Sequence, residues 1–180
     1  MARSLKPLGP GTARFSPCGT WRYELTRDLT AACTPRRGGG VLVSIGLNPS
    51  TATGDDDDPT VHKESFYTIA WGYARFIKAN AYGFRATKPA AMFEARDRGI
   101  DIVGPDNDAA ILAAVDLVRQ QGGRVLVAWG RHIEHVRQAA VARLLGDVEA
   151  YCIKPNLNGT PFHTCYSRND AVPVRWRCPL

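Results

Sequence analysis

The chain has 180 residues, of which 44% are hydrophobic and 22% are charged. This composition is typical of one globular domain and excludes an intrinsically disordered protein. No apolar stretch approaches the ~18 residues that a membrane-spanning helix needs, which excludes an integral membrane protein. The formal net charge is +6, with acids in excess only between residues 24 and 116. A positively charged face would suit a phosphate-bearing partner, but an ordinary solvated surface can have the same net charge.

The cysteine count indicates the redox compartment. Five cysteines are present, at Cys18, Cys33, Cys152, Cys165 and Cys178. The odd count, together with the lack of an apolar signal segment in Met1–Gly11, predicts reduced thiols and a cytoplasmic location. No cysteines have the close spacing of a zinc or iron–sulfur site, so we expect no metal and no cofactor.

The first part of the chain predicts an arm followed by two strands. Residues 1–16 are rich in Pro and Gly, which favours a flexible N-terminal arm before a single domain over 17–180. Aromatic and polar residues alternate in Trp21–Leu25, which predicts a short strand. A turn at Arg36–Gly40 leads into Val41–Ile45, a continuous apolar run typical of a buried parallel strand.

Helices and strands then alternate to the end of the domain. Helices are predicted over Thr60–Arg75 and Lys88–Arg96, from a cap at Asp106–Asp108 to Gln121, and over His132–Leu145. Strands are predicted over Phe76–Asn80, Arg124–Ala128 and Glu149–Ile153. This alternation indicates βαβ units. We therefore expect a three-layer α/β/α domain with a mostly parallel central sheet of about four strands.

Polar and aromatic residues follow each core strand where it ends. Ligands of open α/β sheets bind in the crevice outside the carboxyl ends of the strands, so these residues predict one convergent site. The segments are, in strand order, Gly46–Thr51, Asn80–Arg85, Trp129–Gly130 and Lys154–His163.

Three of these side chains are candidates for binding or catalysis. Asn48, held between Gly46 and Pro49, can orient a water molecule, or it can satisfy its own backbone in an Asx turn. Asn80 offers both a donor and an acceptor to an amide-like edge such as that of a pyrimidine, or it can cap a loop. His163 can donate or accept a proton at the site, or it can be a structural histidine.

The acidic run Asp55–Asp58 allows two interpretations. It can bind a divalent cation or supply a catalytic carboxylate, for which Asp58 is the candidate. It can equally form a solvated loop whose last aspartate favours the start of the next helix. The chain contains no Walker loop and no dinucleotide-binding glycine motif, which argues against nucleoside triphosphate hydrolysis by the usual route.

A series of motifs resembles the uncharacterised family DUF1643 over roughly residues 20–170. Its members are Gly46–Ala52, Asp58–Thr60, Trp71–Tyr73, Asn80, Tyr82, Arg85–Thr87, Gly104–Asp108 and Trp129–Gly130. The resemblance implies an α/β fold and no established activity. The chain departs from the family pattern at His163–Tyr166, where a His-Pro-Leu-Tyr-like tetrad is usual.

The order of four features is also similar to the uracil-DNA glycosylase superfamily. They are the Gly46–Pro49 loop, Asn80 at a strand end, the Val127–Gly130 strand end and the His163 loop. The resemblance implies that Asn48, with Asp58, orients the attacking water and that His163 stabilises the departing base. With the polar residues of the strand-end and turn segments, the candidate substrate-binding residues are Gly46, Ser50, Phe66, Asn80, Tyr82, Arg85, Asp106, Asn107, Trp129 and Asn158.

The expected function is therefore a glycosylase-like hydrolase that acts on a nucleobase in nucleic acid. Two alternatives stay open: an enzyme of the same fold acting on a free nucleotide or nucleoside, and a non-catalytic module that binds nucleic acid or a nucleotide. The chain has neither a proline after His163 nor a clear leucine wedge, so the strandedness of the substrate is left open. The oligomeric state is not indicated. We expect Asn48, Asn80 and His163 to share one pocket, with Arg22, Arg168 and Arg175 on its rim.

Overall fold

The computed structural model describes residues 4–34 and 40–179. Within them, one mixed sheet comprises β1 (Ala13–Phe15), β2 (Arg22–Asp28), β3 (Val41–Gly46), β4 (Arg75–Asn80), β5 (Gly123–Val127), β6 (Ala150–Cys152) and β7 (Val174–Trp176). The strand order is β1-β2-β4-β3-β5-β6-β7. Strands β4, β3, β5 and β6 are parallel, while β1 and β2 at one edge and β7 at the other are antiparallel.

Helices cover both faces of the sheet. They are α1 (Pro59–Ala70), α2 (Pro89–Asp97), α3 (Asn107–Gln121) and α4 (His135–Leu145), with short 3₁₀ turns at Gly130–His132 and Thr164–Tyr166. Alternate residues of β3 divide between the faces, as the two-residue period of a strand requires. Val43 and Ile45 join the core cluster that contains α3, whereas Ser44 faces the α1 side. No helix in the described ranges is long and apolar enough to cross a membrane.

The sheet is larger and more mixed than the sequence predicts. The four expected core strands are present as the parallel strands, and the strand predicted at Trp21–Leu25 is β2. The prediction of about four mostly parallel strands is wrong because the sheet has seven and half of its pairings are antiparallel. Strands β1 and β7 have three residues each, too few to show an alternating pattern.

Two helix boundaries differ from the prediction for identifiable reasons. Helix α1 ends at Ala70 rather than at Arg75, because Gly72 takes a φ of 83° that terminates the helix. Helix α4 begins at His135 rather than at His132, since Gly130, with a φ of 73°, opens a separate 3₁₀ turn. The turn predicted at Arg36–Gly40 lies outside the described residues except for its last glycine.

Residues 4–16, part of the predicted arm, lie against the sheet. Strand β1 pairs with β2, and Leu5 exchanges two backbone hydrogen bonds of 2.9 Å with Asp57. A Cβ atom at Gly9 would lie 2.0 Å from the carbonyl oxygen of Asp28, and one at Gly11 would lie 1.9 Å from that of Thr26. The glycines of this segment therefore allow close backbone approach to β2, which composition alone does not distinguish from flexibility.

Candidate functional site

A cavity of about 640 Å³ opens at the carboxyl ends of β3, β4 and β5. The chain runs from β3 to β4 on one side and later to β5 on the other, so the cavity lies at the topological switch point of the sheet. The start of α1 and the loop after β6 close its walls. The cavity brings together seven of the predicted site residues, Gly46, Asn48, Ser50, Asp58, Asn80, Trp129 and His163. The expectation that Asn48, Asn80 and His163 share one pocket is confirmed, and their roles stay predictions.

Asn80 ends β4 and is 1% exposed. Among the described residues, no protein group bonds to either its Nδ2 or its Oδ1 atom. Its backbone carbonyl accepts a hydrogen bond of 3.0 Å from Nδ2 of Asn107, which fixes the end of the strand from behind. A buried amide without a partner is costly, because its desolvation is not offset. Its donor and acceptor are therefore left unsatisfied by the described part of the chain, at a residue that lines the cavity.

His163 precedes the second 3₁₀ turn and lines the cavity. Its Nδ1 atom accepts a hydrogen bond of 3.3 Å from the backbone N–H of Cys165. Burial, reinforced by the charge of Lys78, lowers the pKa of His163 below its ordinary value. The imidazole is therefore neutral at pH 7, and because Nδ1 is an acceptor its proton is on Nε2. Nε2–H is a donor for a ligand atom that gains negative charge.

Asn48 and Asp58 are both oriented by backbone contacts. The Nδ2 group of Asn48 donates to the carbonyls of Ala86 at 2.6 Å and Pro49 at 3.1 Å, so its Oδ1 is left as an acceptor. Asp58 caps α1, and its Oδ1 accepts from the N–H groups of Thr60 and Val61, both at 2.9 Å. The helix-cap interpretation of Asp58 is therefore confirmed, and its second oxygen is left for the cavity.

A buried ion pair beneath the cavity was missed by the sequence analysis. Lys78, on β4, donates to both carboxylate oxygens of Glu64 at 2.7 and 3.0 Å, and to Oγ of Ser44 at 3.1 Å. Thr164 donates to the same carboxylate at 2.7 Å and so ties the His163 loop to α1. One signal was available: a lysine in the middle of an otherwise apolar buried strand requires a partner.

The remaining predicted binding residues lie elsewhere. Two of them are exposed, Phe66 on α1 and Asp106 at the start of α3. Three make hydrogen bonds within the protein: Tyr82 donates to Glu134, Arg85 donates to the Gly19 carbonyl, and Asn158 accepts from Thr160. The sixth, Asn107, is fully buried behind β4. None of these six lines the cavity. Tyr82 and its neighbours line a separate groove beside α4.

Of the three arginines predicted on the rim of the cavity, Arg22 alone lines the cavity. Arg22 is in the wall and is 1% exposed, so it is not a rim residue. Arg168 pairs with Asp170 at 2.9 Å and Arg175 pairs with Glu149 at 2.7 Å, and neither lines the cavity. The expectation for these two arginines is wrong because local carboxylates hold their side chains.

The acidic run shows no arrangement for a cation. Asp57 accepts two hydrogen bonds from Arg27, at 2.7 and 3.0 Å, while Asp55 and Asp56 are exposed. Across residues 4–34 and 40–179, no three His, Cys, Asp or Glu side chains are grouped to hold a metal ion.

Replacing Gly46 by alanine is expected to destabilise the protein and distort the cavity floor. The added Cβ would lie 2.8 Å from Nζ of Lys78 and 2.9 Å from Oδ1 of Asn80, and hydrogen bonds to Glu64 and Ser44 hold that lysine. Overpacking of this kind costs about 1–3 kcal/mol, which urea unfolding measures. Gly54→Ala is the control, since its Cβ would meet nothing nearer than 3.4 Å. Equal stability of the two variants would contradict the geometry.

Comparison with known proteins identifies the family without giving a function. The model of the family described as "Protein of unknown function (DUF1643)" matches residues 22–164, which include all the cavity residues discussed above. No curated protein and no solved structure matches the chain. Since the family model covers well over half of the sequence, the chain belongs to the DUF1643 family.

Proposed function

We propose that this protein hydrolyses the N-glycosidic bond of a nucleobase in nucleic acid. The observation that carries the proposal is the Asn80 amide, buried at the cavity with both Nδ2 and Oδ1 unpartnered by the described residues. A pyrimidine edge presents a carbonyl acceptor beside an N–H donor, and one amide satisfies both at once. A site built around such an amide selects strongly for that edge, because any other ligand leaves the amide unpaired.

The other cavity residues supply the groups that the hydrolysis needs. Water attacks the anomeric carbon of the sugar while the bond to the base nitrogen breaks and its electron pair leaves with the base. Asn48 Oδ1 orients the water, and Asp58 accepts the proton that it loses. Nε2–H of the neutral His163 donates to the base oxygen on which negative charge develops. The order of these features along the chain, similar to that of uracil-DNA glycosylases, supports the same assignment.

The cavity volume is compatible with an extrahelical nucleotide. Small-molecule sites are about 300–1,000 Å³, and the observed cavity falls within this range. A base inside a duplex cannot reach a cavity of this kind, so the substrate nucleotide must be single-stranded or flipped out. The direct test is incubation with oligonucleotides that each carry one modified base, in parallel with the free nucleotides, and measurement of the base released.

Asn80→Leu is expected to abolish base release without lowering the stability of the protein. Leucine has a similar volume, and the substitution removes no hydrogen bond made by the side chain within the described residues. Base release should fall about 100-fold or more, as expected when a polar recognition group is lost. Chromatographic assay of free base and urea unfolding give the two readouts.

The matched control is Asn156→Leu, since Asn156 also lines the cavity but donates to Thr160 and Pro161. That variant should lose stability because it breaks hydrogen bonds within the protein. Base release by the Asn80 variant at the wild-type rate, or no free base from any member of the panel with the wild-type protein, would refute the proposed function.

A further inference from the structure

Two buried arginines on β2 have different surroundings. Arg27 donates from Nε and Nη2 to Asp57, at 3.0 and 2.7 Å, and its charge is balanced there. Arg22 is equally buried, at 1% exposed, and lines the cavity. It donates from Nη1 to the carbonyl of Ala52 at 2.7 Å, while its Nε has no partner within the described part of the chain. No carboxylate of residues 4–34 and 40–179 lies within 4.0 Å of it.

A buried guanidinium without a bonded anion is unfavourable. Burial lowers the pKa of Arg22 to about 10, and the more distant carboxylates of Asp58 and Glu64 offset this only in part. The side chain therefore still carries a full positive charge at pH 7. Buried charges in proteins are normally paired, so the missing partner of Arg22 is expected to be a ligand.

The charged side chains of the cavity lining are mostly cations. Its lining includes three cations, Arg22, Lys78 and Arg131, and a single carboxylate, Asp58. Glu64 neutralises Lys78 from below, and Asp58 is engaged by the first N–H groups of α1. Since these amides are occupied, the start of the helix does not provide an anion site. Arg131 is exposed, so Arg22 is the buried cation of this lining that has no bonded carboxylate within the described residues.

We infer that Arg22 binds a phosphate of the ligand. The cavity would then bind a nucleotide in preference to a free base or a nucleoside. The base half of this assignment rests on the proposed function. The Nε–H and the second Nη of a guanidinium can donate to two oxygens of one phosphate, a geometry that lysine cannot reproduce. The phosphate can belong to a free nucleotide or to the backbone of a single strand.

The test compares ligands with and without phosphate. Dissociation constants are measured for 2′-deoxyuridine, for 2′-deoxyuridine 5′-monophosphate and for a single-stranded nonamer that contains one deoxyuridine. Wild-type protein should bind the monophosphate at least about 10-fold more tightly than the nucleoside, as one charge-assisted contact provides. In Arg22→Met this ratio should fall to about 1 through loss of monophosphate affinity. The nonamer identifies the source: binding tighter than the monophosphate assigns the phosphate to a strand, and weaker binding to a free nucleotide.

Inorganic phosphate separates this inference from the proposed function. In ¹H–¹⁵N spectra of arginine side chains, adding phosphate to the wild-type protein should shift the Arg22 Nε–H resonance and leave that of Arg27 in place. A shift without base release from any substrate would overturn the proposed function and support the phosphate site. Base release with an unchanged ligand ratio in Arg22→Met, or no shift, would overturn the phosphate site.

Two further variants test whether Arg22 only supports the loop through Ala52. Arg22→Lys retains the positive charge and should recover part of the ratio, since only the paired geometry is lost. Arg85→Met removes a nearby exposed arginine that lies outside the cavity lining and should leave the ratio as in the wild type. A purely structural Arg22 would weaken nucleoside and monophosphate equally in Arg22→Met, and that result would overturn the inference. Thermal melting confirms that each variant is folded.

Discussion

Replacing His163 by alanine is expected to lower the rate of base release about 10²- to 10³-fold, the usual effect of losing one donor to a developing oxyanion. The imidazole is neutral, and its Nδ1 atom is occupied by the N–H of Cys165, so Nε2–H is the group that is lost. The effect should appear in kcat more than in KM, because the base oxygen gains its charge only as the bond breaks. Single-turnover assays of free base on a uracil-containing single strand measure it.

The pH profile gives an independent readout of the same role. Burial and Lys78 lower the pKa of His163, so its neutral form persists below the ordinary histidine value of about 6.5. Activity that depends on neutral His163 should therefore have its acid midpoint below the ordinary histidine value and be lost only when the pH falls through the lowered pKa. An acid limb above pH 6.5 would contradict this assignment.

His132 provides a matched control within the same cavity. It lines the mouth and is exposed, and His132→Ala should therefore leave the chemical step almost unchanged. His163→Gln, which keeps an N–H donor, should recover part of the rate. Equal losses in the His132 and His163 variants would show that general disturbance of the cavity, not the Nε2–H donor, limits the reaction.

The central part of the fold could be predicted because its strands carry their own pattern. Val41–Val43 and Val125–Val127 are continuous apolar runs, and runs of this kind are typical of strands that are buried on both faces. The edge strands could not be predicted in this way. Their three residues are placed by hydrogen bonds to β2 and β6, which are contacts between distant parts of the chain.

The residues of the site likewise fall into those that the strand pattern predicts and those that it does not. Asn48, Asn80 and His163 could be placed together because the carboxyl ends of parallel strands meet at one edge of a sheet. The positions of Tyr82 and Asn107 could not be predicted by this rule, because the chain turns after Asn80 toward the α3 face and places both residues behind the cavity. Lys78 was missed, and Arg22 was expected on the rim and not in the wall, because strand periodicity assigns an inward position but does not show which inward residues reach a cavity.

The second large effect is expected at the buried Lys78–Glu64 pair. Lys78→Met leaves the Glu64 carboxylate, whose side chain is 0% exposed, with Thr164 as its remaining described partner. Removing one member of a buried ion pair typically costs about 3–5 kcal/mol, because the other charge is left desolvated. The free energy of unfolding, from urea titration monitored by tryptophan fluorescence, should fall by that amount.

The double variant Lys78→Met, Glu64→Gln shows whether the loss reflects an unpaired charge. Glutamine is neutral and keeps an oxygen for the Thr164 hydroxyl, so most of the lost stability should return and the two substitutions should be strongly non-additive. Arg168→Met, at an exposed pair with Asp170, is the control and should shift the unfolding midpoint little. Additive losses in the double variant would mean that Lys78 supports the cavity floor through its packing. Whatever the outcome of the double variant, Lys78→Met removes the positive charge that helps to lower the pKa of His163, so the acid limb of the activity profile should move to higher pH.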